Sequence, residues 1–337
     1  MLRALAWRLA GVLPVVLLVT LLIFSILHFA PGDAAELLLP EDLSQEEVAR
    51  VRALWGLDRP LLEQYWRFLV NIAHFDFGTS YRYHESVFTL VAQRLPATLE
   101  LAFFALFLAA AIGVPLGVTA ALHKGRAADA AVSITAVAGV SAPTFWMGIM
   151  LLLVFSAQLR WLPSGGRIPF GTTIPYVTGL NTLDAMLAGR FDLVPVLLTH
   201  VALPAGTLAL NMMGIIARIT RSAIVHVAQE EFIFTATAKG LSRGQIVRRH
   251  LLPNSMIPVI TIIGLELGAL ISGSIIVEIV FTWPGIGTLL YQAISVRDIP
   301  LTTGVIVAYT FLFIFINILI DIAYFTLDPR VRASATG

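Results

Sequence analysis

Two glutamates, Glu266 and Glu278, stand inside a long apolar run near residues 256–281 and are the side chains best placed to do chemistry there. An ionisable group in such a run is costly, so it is a candidate for binding a polar solute or for gating. Glu266 could contact an amine of a solute or pair with a polar group on a neighbouring helix. Glu278 precedes a turn at Pro284 and Gly285, and we expect it to anchor that turn or to act in gating.

Motifs for enzymatic chemistry are missing from the sequence. It contains no Gly-x-Ser-x-Gly elbow, no His-Glu-x-x-His sequence and no Walker A sequence, and neither Lys124 nor Lys239 stands in a Gly-Lys-Ser/Thr context. The 7 histidines are scattered without metal-ligand spacing, and cysteine is absent. We therefore predict no catalytic residue, no metal site and no cofactor held by this chain.

The composition indicates that much of the chain is surrounded by lipid. Hydrophobic residues make up 58% of the 337 residues and charged residues 13%, whereas a soluble domain carries about 25% charged residues. The formal net charge of +1 leaves no strongly basic surface, so we expect no nucleic-acid partner.

Several apolar segments are long enough to cross a bilayer. Because backbone groups must be satisfied within lipid, these segments are predicted to be helices. The first follows Arg3 and Arg8 and resembles a signal peptide, but we expect it to be retained. The fold class predicted is therefore an all-α membrane protein with about six transmembrane helices, near residues 9–30, 97–121, 130–156, 198–218, 256–281 and 301–325.

The distribution of Lys and Arg predicts the orientation. With the N-terminus inside, more than half of the basic residues fall in short inner segments, which favours a cytoplasmic location for both termini. The predicted organisation is a first span at 1–30, a helical extracytoplasmic insertion at 31–96, a five-helix core at 97–328 and a cytoplasmic tail at 329–337.

The insertion at 31–96 carries signals for two short helices. Ser44 and Glu47 form a capping box for the first, and Pro60 suits the opening turn of the second. Apolar residues recur at helical spacing after Pro60. These helices are expected to lie on the membrane surface or on the spans, and the same face could dock an extracytoplasmic partner.

The cytoplasmic segment near 219–255 predicts a short helix, a sharp turn and a second helix. Glu231 near the start and Lys239 near the end of the first helix both favour its dipole. Gly240 can cap that helix, and Ser242 with Gln245 forms a capping box for the next. We expect the second helix to stop near Pro253.

This segment resembles the coupling loop of type I ATP-binding-cassette importer permeases, in the variant of the dipeptide, oligopeptide and nickel transport family. The glutamate usual in that loop is replaced by Phe234. Four further stretches support the resemblance in the same order along the chain: Phe77 to Tyr81, Arg94 to Glu100, Val277 to Gly287 and Leu327 to Arg330.

The resemblance implies a permease subunit of a bacterial cytoplasmic-membrane importer for dipeptides or oligopeptides. It implies a second homologous permease, two cytoplasmic ATPase subunits that bind the ATP and Mg, and an extracytoplasmic substrate-binding protein. The small residues at the bend would let the ATPase approach closely. The residues it assigns to this contact are Glu231, Thr235, Ala236, Ala238, Lys239, Gly240 and Leu241.

Other cargoes and other classes remain open at this point. Nickel, glutathione and opine-type importers have similar permeases, and the sequence alone does not choose among them or say whether the two permeases are identical. A secondary transporter driven by an ion gradient would predict symmetric halves with interrupted helices, which the sequence lacks. An intramembrane enzyme would need a paired nucleophile and base or a metal motif, and none is present.

Overall fold

The computed structural model describes residues 2–29 and 59–327 of the chain. The predicted capping box at Ser44 and Glu47 and the tail at 329–337 lie outside the described residues. The described residues form helices joined by turns and loops, and the α-helices are α1 (Leu2–Phe29), α2 (Leu61–Ala73), α3 (Val87–Leu122), α4 (Ala127–Ser141), α5 (Thr144–Leu151), α6 (Asn181–Leu187), α7 (Leu193–Val227), α8 (Glu231–Ala238), α9 (Arg243–Ile246), α10 (Leu252–Val280), α11 (Ile286–Ser295) and α12 (Ile299–Leu327). The helix α5 continues as a π-helical stretch, Leu152–Gln158.

Four helices within the described residues are long and apolar enough to cross a membrane, and a fifth span results if the bent pair α4 and α5 is counted as one. The first predicted span corresponds to α1, whose apolar stretch Leu13–Ser25 is shorter. The helical, multi-pass character predicted from the sequence is thus confirmed, while the number six stays a prediction.

Two of the predicted spans differ from expectation. The helix α3 begins at Val87, with Pro96 inside it, and not near residue 97. The segment predicted as one span at 130–156 breaks at Ala142 and bends by 104°. Ala142 has an extended backbone with ψ 135° because the following Pro143 disfavours a helical conformation at the preceding residue.

The helix that begins after the turn at Gly240 is also longer than predicted. It passes from α9 through a π-helical stretch, Val247–Leu251, directly into α10. Pro253 therefore does not end it. A proline lacks the N–H that would bond four residues back, and the widened turn of a π-helix can absorb this missing bond.

The described residues form two compact units: one holds those up to Gln93 together with Leu289–Ile314, and the other holds Arg94–Thr288 together with those from Phe315 onward. In the first, Asp298 is buried and accepts hydrogen bonds from Ser80 Oγ (2.5 Å), the Arg82 N–H and the Leu301 N–H. Burial, followed by the charge of Asp298, raises the pKa of Tyr81 to about 12. Asp298 thus caps α12 and holds the Phe77 to Tyr81 stretch in place.

In the second unit, α7 crosses two other helices at glycines. A Cβ at Gly113 would lie 2.9 Å from the Met213 carbonyl oxygen, and a Cβ at Gly139 would lie 2.9 Å from that of Leu210. Such small residues allow helix backbones to approach closely in membranes. The close crossings bring the C-terminal ends of α3 and α7 together.

Candidate functional site

The coupling segment, defined here as residues 227–252, has the helix–turn–helix geometry predicted for it. The helix α8 runs from Glu231 to Ala238, and Gly240 follows with φ +78°. The Gly240 N–H donates to the Thr237 carbonyl at 2.9 Å and the Leu241 N–H to the Ala236 carbonyl at 3.3 Å. These paired bonds are the Schellman motif that ends many helices.

The next helix starts with the predicted capping box. The Ser242 N–H donates to Gln245 Oε1 at 2.9 Å, and the Gln245 N–H donates to Ser242 Oγ at 3.4 Å. Each side chain thus satisfies a backbone N–H that the helix leaves free. The turn between the two helices is therefore closed from both sides by local hydrogen bonds.

A small apolar core lies between the two helices of the segment. Ile233 and Ala236 of α8 are buried against Ile246 and Leu251, with Leu241 packed partly against them. Ala236 was predicted to face the ATPase, but it faces its own chain. Its small side chain lets α8 pack closely on the following helix. Ala236 therefore affects the position of the exposed face of α8 without being part of that face.

The opposite face of α8 is open. Phe234 is 68% exposed, Phe232 is 41% exposed, and Glu231, Thr235, Ala238, Lys239 and Gly240 are also exposed. An exposed phenylalanine on a short helix is the kind of aromatic anchor that dominates protein interfaces. Phe234, which the sequence marked only as a departure from the usual glutamate, is the largest exposed apolar group of this face.

One hydrogen bond ties the segment to the transmembrane helices of its unit. Arg243 Nη2 donates to the Leu122 carbonyl at 2.9 Å, at the end of α3. The C-terminal carbonyls of a helix lack internal partners and carry a partial negative charge, so a guanidinium there is favourable. This bond therefore connects α9 to the end of α3, while α9 leads directly on toward α10.

Glu278 lies at the opposite end of α10 and is fully buried. Its carboxyl group accepts hydrogen bonds from Thr98 Oγ1 (2.7 Å), the Thr288 N–H (3.0 Å) and Ser274 Oγ (3.5 Å). A Cβ at Gly287 would come within 2.8 Å of Glu278 Oε2. Glu278 thus anchors the turn that follows α10, which is the first of the two roles predicted for it, anchoring or gating. It lines neither of the two cavities described for this protein.

The turn itself is pinned to α3 of the same unit, about three turns after that helix begins. The Trp283 indole donates to the Ala97 carbonyl at 2.8 Å, and the Ile286 N–H donates to Thr98 Oγ1 at 2.9 Å. Pro284 and Gly285 sit at the bend, where Gly285 approaches the Glu278 carboxyl group so closely that a Cβ would collide with it. These two residues therefore serve the geometry of the turn.

A buried ion pair holds the loop between α5 and α6 against α3. Arg167 Nε and Nη2 donate to Glu100 Oε2 at 2.8 and 2.5 Å, and Arg167 Nη2 also donates to the Gly179 carbonyl at 2.6 Å. Glu100 accepts a further bond from the Thr182 N–H at 2.8 Å. Sequence reasoning missed the pair, although Glu100 ends a stretch, Arg94 to Glu100, that it had singled out.

Glu266 is a polar residue of α10 that has no hydrogen-bond or ion-pair partner among the described residues. It is half-buried, and no other residue in the described part of the chain makes a hydrogen bond or ion pair with it. A helix rises 1.5 Å per residue, so Glu266 and Glu278 stand roughly 18 Å apart along α10 and do not form one site. A cavity of about 350 Å³ beside Gly206 is lined only by apolar residues and contains neither glutamate.

An all-helical, multi-pass subunit with a capped coupling segment between two spans is the architecture of the permeases of ATP-binding-cassette importers. A solved structure of the MetNI methionine ABC transporter, in inward-facing conformations, shares this fold, with a TM-score of 0.52 and 19% identity over 71% of this chain and 96% of that chain. The similarity supports a type I importer permease fold.

The chain belongs to the family of binding-protein-dependent transport system inner membrane components, whose model matches residues 113–333. The N-terminal model of the same family matches residues 1–102. The protein is accordingly a membrane subunit of an importer of this class, in which ATPase and substrate-binding subunits complete the system.

Curated relatives span nearly the whole chain. It is 40% identical to a probable D,D-dipeptide transport system permease of Escherichia coli K12, over 98% of this chain and 96% of the relative. It is 36% identical to a dipeptide transport system permease of Alkalihalophilus pseudofirmus, over 96% and 98% of the two chains. A di/tripeptide transport system permease of Pseudomonas aeruginosa is 38% identical over 98% and 99%.

Proposed function

We propose that this chain is one of two homologous permease subunits of an importer that moves dipeptides or other short peptides inward. The named cargoes of the relatives, dipeptides, di/tripeptides and D,D-dipeptides, support this substrate class. Both termini and the coupling segment lie on the cytoplasmic side. A substrate-binding protein delivers the peptide from the other side.

The single observation that carries the mechanism is the coupling segment closed by two caps. The helix α8 presents Phe234 to one of two cytoplasmic ATPase subunits, which bind ATP and Mg, while its buried face is fixed on Ile246 and Leu251. Motion of the ATPase subunits moves α8, and the capped turn passes that motion to α10 and, through Arg243, to α3. A loose turn would absorb the same motion without moving the spans.

Gly240 gives the sharpest test, because its φ of +78° is strained for any other residue. Valine is β-branched and especially unsuited to this region, so Gly240→Val should loosen the turn. The matched control is Gly244→Val: Gly244 also has open space around its Cβ position but carries no positive φ. The assembly with its ATPase subunits and binding protein is reconstituted in lipid, and hydrolysis and uptake are measured with a panel of peptides, nickel and glutathione.

Peptide-stimulated hydrolysis and uptake should occur in the wild type and in Gly244→Val and should be lost in Gly240→Val, with the assembly intact. If nickel or glutathione stimulates hydrolysis and peptides do not, the peptide assignment is wrong but the protein is still an importer subunit. If the protein binds no ATPase subunit and an ion gradient drives its uptake of solute, the proposal is overturned.

Phe234→Ala addresses the contact itself. The loss of an exposed aromatic anchor should weaken ATPase binding by about tenfold or more. Phe170→Ala is the control, since Phe170 is also an exposed phenylalanine but stands in the loop between α5 and α6. Equal retention of the ATPase by both variants would remove Phe234 from the contact.

A further inference from the structure

A cavity of about 260 Å³ lies where three spans of the second unit end, and the importer mechanism does not use it. The end of α3, the end of α7 and the helix leading into α10 form its walls. Two long apolar helices finish here and a third begins, so the cavity is at the level of a membrane–water boundary. Any occupant therefore meets both the lipid and the aqueous phase.

The walls of this cavity are mostly apolar, with residues such as Ala121, Ile224 and Val247. Its polar lining residues are Lys124, Gln229 and Arg243, so two cations and one amide line it and no acidic residue does. The combination suits an amphiphile with an anionic head and an apolar tail. A free polar anion would leave the apolar walls without a partner.

The two cations are differently employed. Arg243 donates one N–H to the Leu122 carbonyl, and this bond holds its guanidinium at the rim of the cavity. The other N–H groups of the guanidinium remain available to a ligand. The Lys124 side chain makes no hydrogen bond or ion pair with the part of the chain that the structure describes, and it is exposed. The nearby Asp129 attracts Lys124 electrostatically, but the hydrogen bonds of its carboxylate go to Arg221 and the Gly125 N–H.

We propose that this cavity binds an anionic phospholipid, with the phosphate between Lys124 and Arg243, Gln229 donating to the headgroup, and the adjoining acyl chain on the apolar walls. Basic pockets between transmembrane helices are known to bind such headgroups, and each Lys or Arg near a membrane surface contributes about 1 kcal/mol. The bound lipid would also buttress Arg243 and Ile246, which belong to α9. Occupancy should therefore stabilise the coupling segment.

The test uses the full assembly in nanodiscs of phosphatidylcholine containing a minor fraction of photoactivatable phosphatidylglycerol. Cross-links within residues 224–229 are quantified by mass spectrometry. In Lys124→Gln their yield should fall by about fivefold, the change that 1 kcal/mol corresponds to. In Ala228→Phe, which fills the cavity, the cross-links should disappear. Arg249→Gln is the matched control: Arg249 is an exposed cation on the same continuous helix that does not line the cavity, and its yield should be unchanged.

Three outcomes would overturn the proposal. An equal loss in Arg249→Gln would reduce the effect to general attraction of anionic lipid. Competition by inorganic phosphate, or equal labelling by a photoactivatable phosphatidylcholine, would exclude an anionic phospholipid as the specific occupant. The third outcome combines two results: the wild type gives no cross-links, and the Ala228→Phe assembly loses the ATPase or the second permease. The cavity would then bind a protein partner and not a lipid.

Discussion

The carboxyl group of Glu278 accepts a hydrogen bond of 2.7 Å from the hydroxyl of Thr98, which stands 180 residues away in the sequence. Both side chains are fully buried. The same hydroxyl accepts the Ile286 N–H at 2.9 Å, so Thr98 bridges the end of α10 and the start of α11. This single hydroxyl joins three segments of one unit.

Thr98→Val should destabilise the protein by about 1–3 kcal/mol, because it leaves a buried acceptor on Glu278 and the Ile286 N–H without their partner. Thr98→Ser keeps the hydroxyl and should lose much less. Thermal unfolding of the purified subunit in one detergent measures the difference. If valine and serine lower the melting temperature equally, the hydrogen bonds are not what Thr98 contributes.

Gly285→Ala should disturb the turn after α10. The added Cβ would collide with the carboxyl group of Glu278, which cannot move without losing its own hydrogen bonds. We expect a loss of about 1–3 kcal/mol, the usual cost of overpacking. Gly273→Ala on α10 is the control, since its Cβ would meet no atom within 4 Å. A Gly285 variant as stable as the control would show that the turn adapts.

The Glu100–Arg167 pair should behave as a buried, coupled pair. Removing one partner leaves a buried charge, so Glu100→Gln or Arg167→Met alone should cost about 3–5 kcal/mol, and the double variant should cost clearly less than the sum. Thermal unfolding of the four proteins completes the cycle. The exposed pair Arg190–Asp192 is the control and should show little coupling. Additive effects at Glu100 and Arg167 would contradict the coupling.

Asp184, on the short helix α6, should make the stability of the protein depend on acid pH. Burial opposes ionisation of its carboxyl group, but hydrogen bonds from Thr178, Val177 and Gly179 outweigh it, so the pKa is lowered. A lowered pKa stabilises the fold above the unfolded-state value of about 3.9. This contribution is lost as the pH falls through the lower folded pKa.

The measurement is the melting temperature as a function of pH for wild type and Asp184→Asn. An amide cannot accept all of these bonds, so the variant should melt lower at neutral pH, and the gap should narrow below about pH 4. A gap that stays constant down to the lowest accessible pH would mean that ionised Asp184 does not contribute.

How much could be predicted depended on how local each interaction was. The turn at Gly240 and the capping box of Ser242 and Gln245 were predicted in detail, because their bonds join residues at most five apart. The stop at Pro253 was wrong, since a π-helical stretch accommodated the proline. The burial of Ala236 was missed because it depends on packing against Ile246 and Leu251 of the next helix.

The sequence by itself determined that the chain is helical and spans a membrane, because apolar runs in lipid can satisfy their backbone only as helices. It also determined the coupling turn, through residues whose backbone preferences act locally. Only the tertiary structure decided which polar residues meet: Thr98 with Glu278, Glu100 with Arg167, and Lys124 with Arg243 around one cavity. Each of these pairs is far apart in the chain, and only the packing of helices and loops in the folded unit brings its members together.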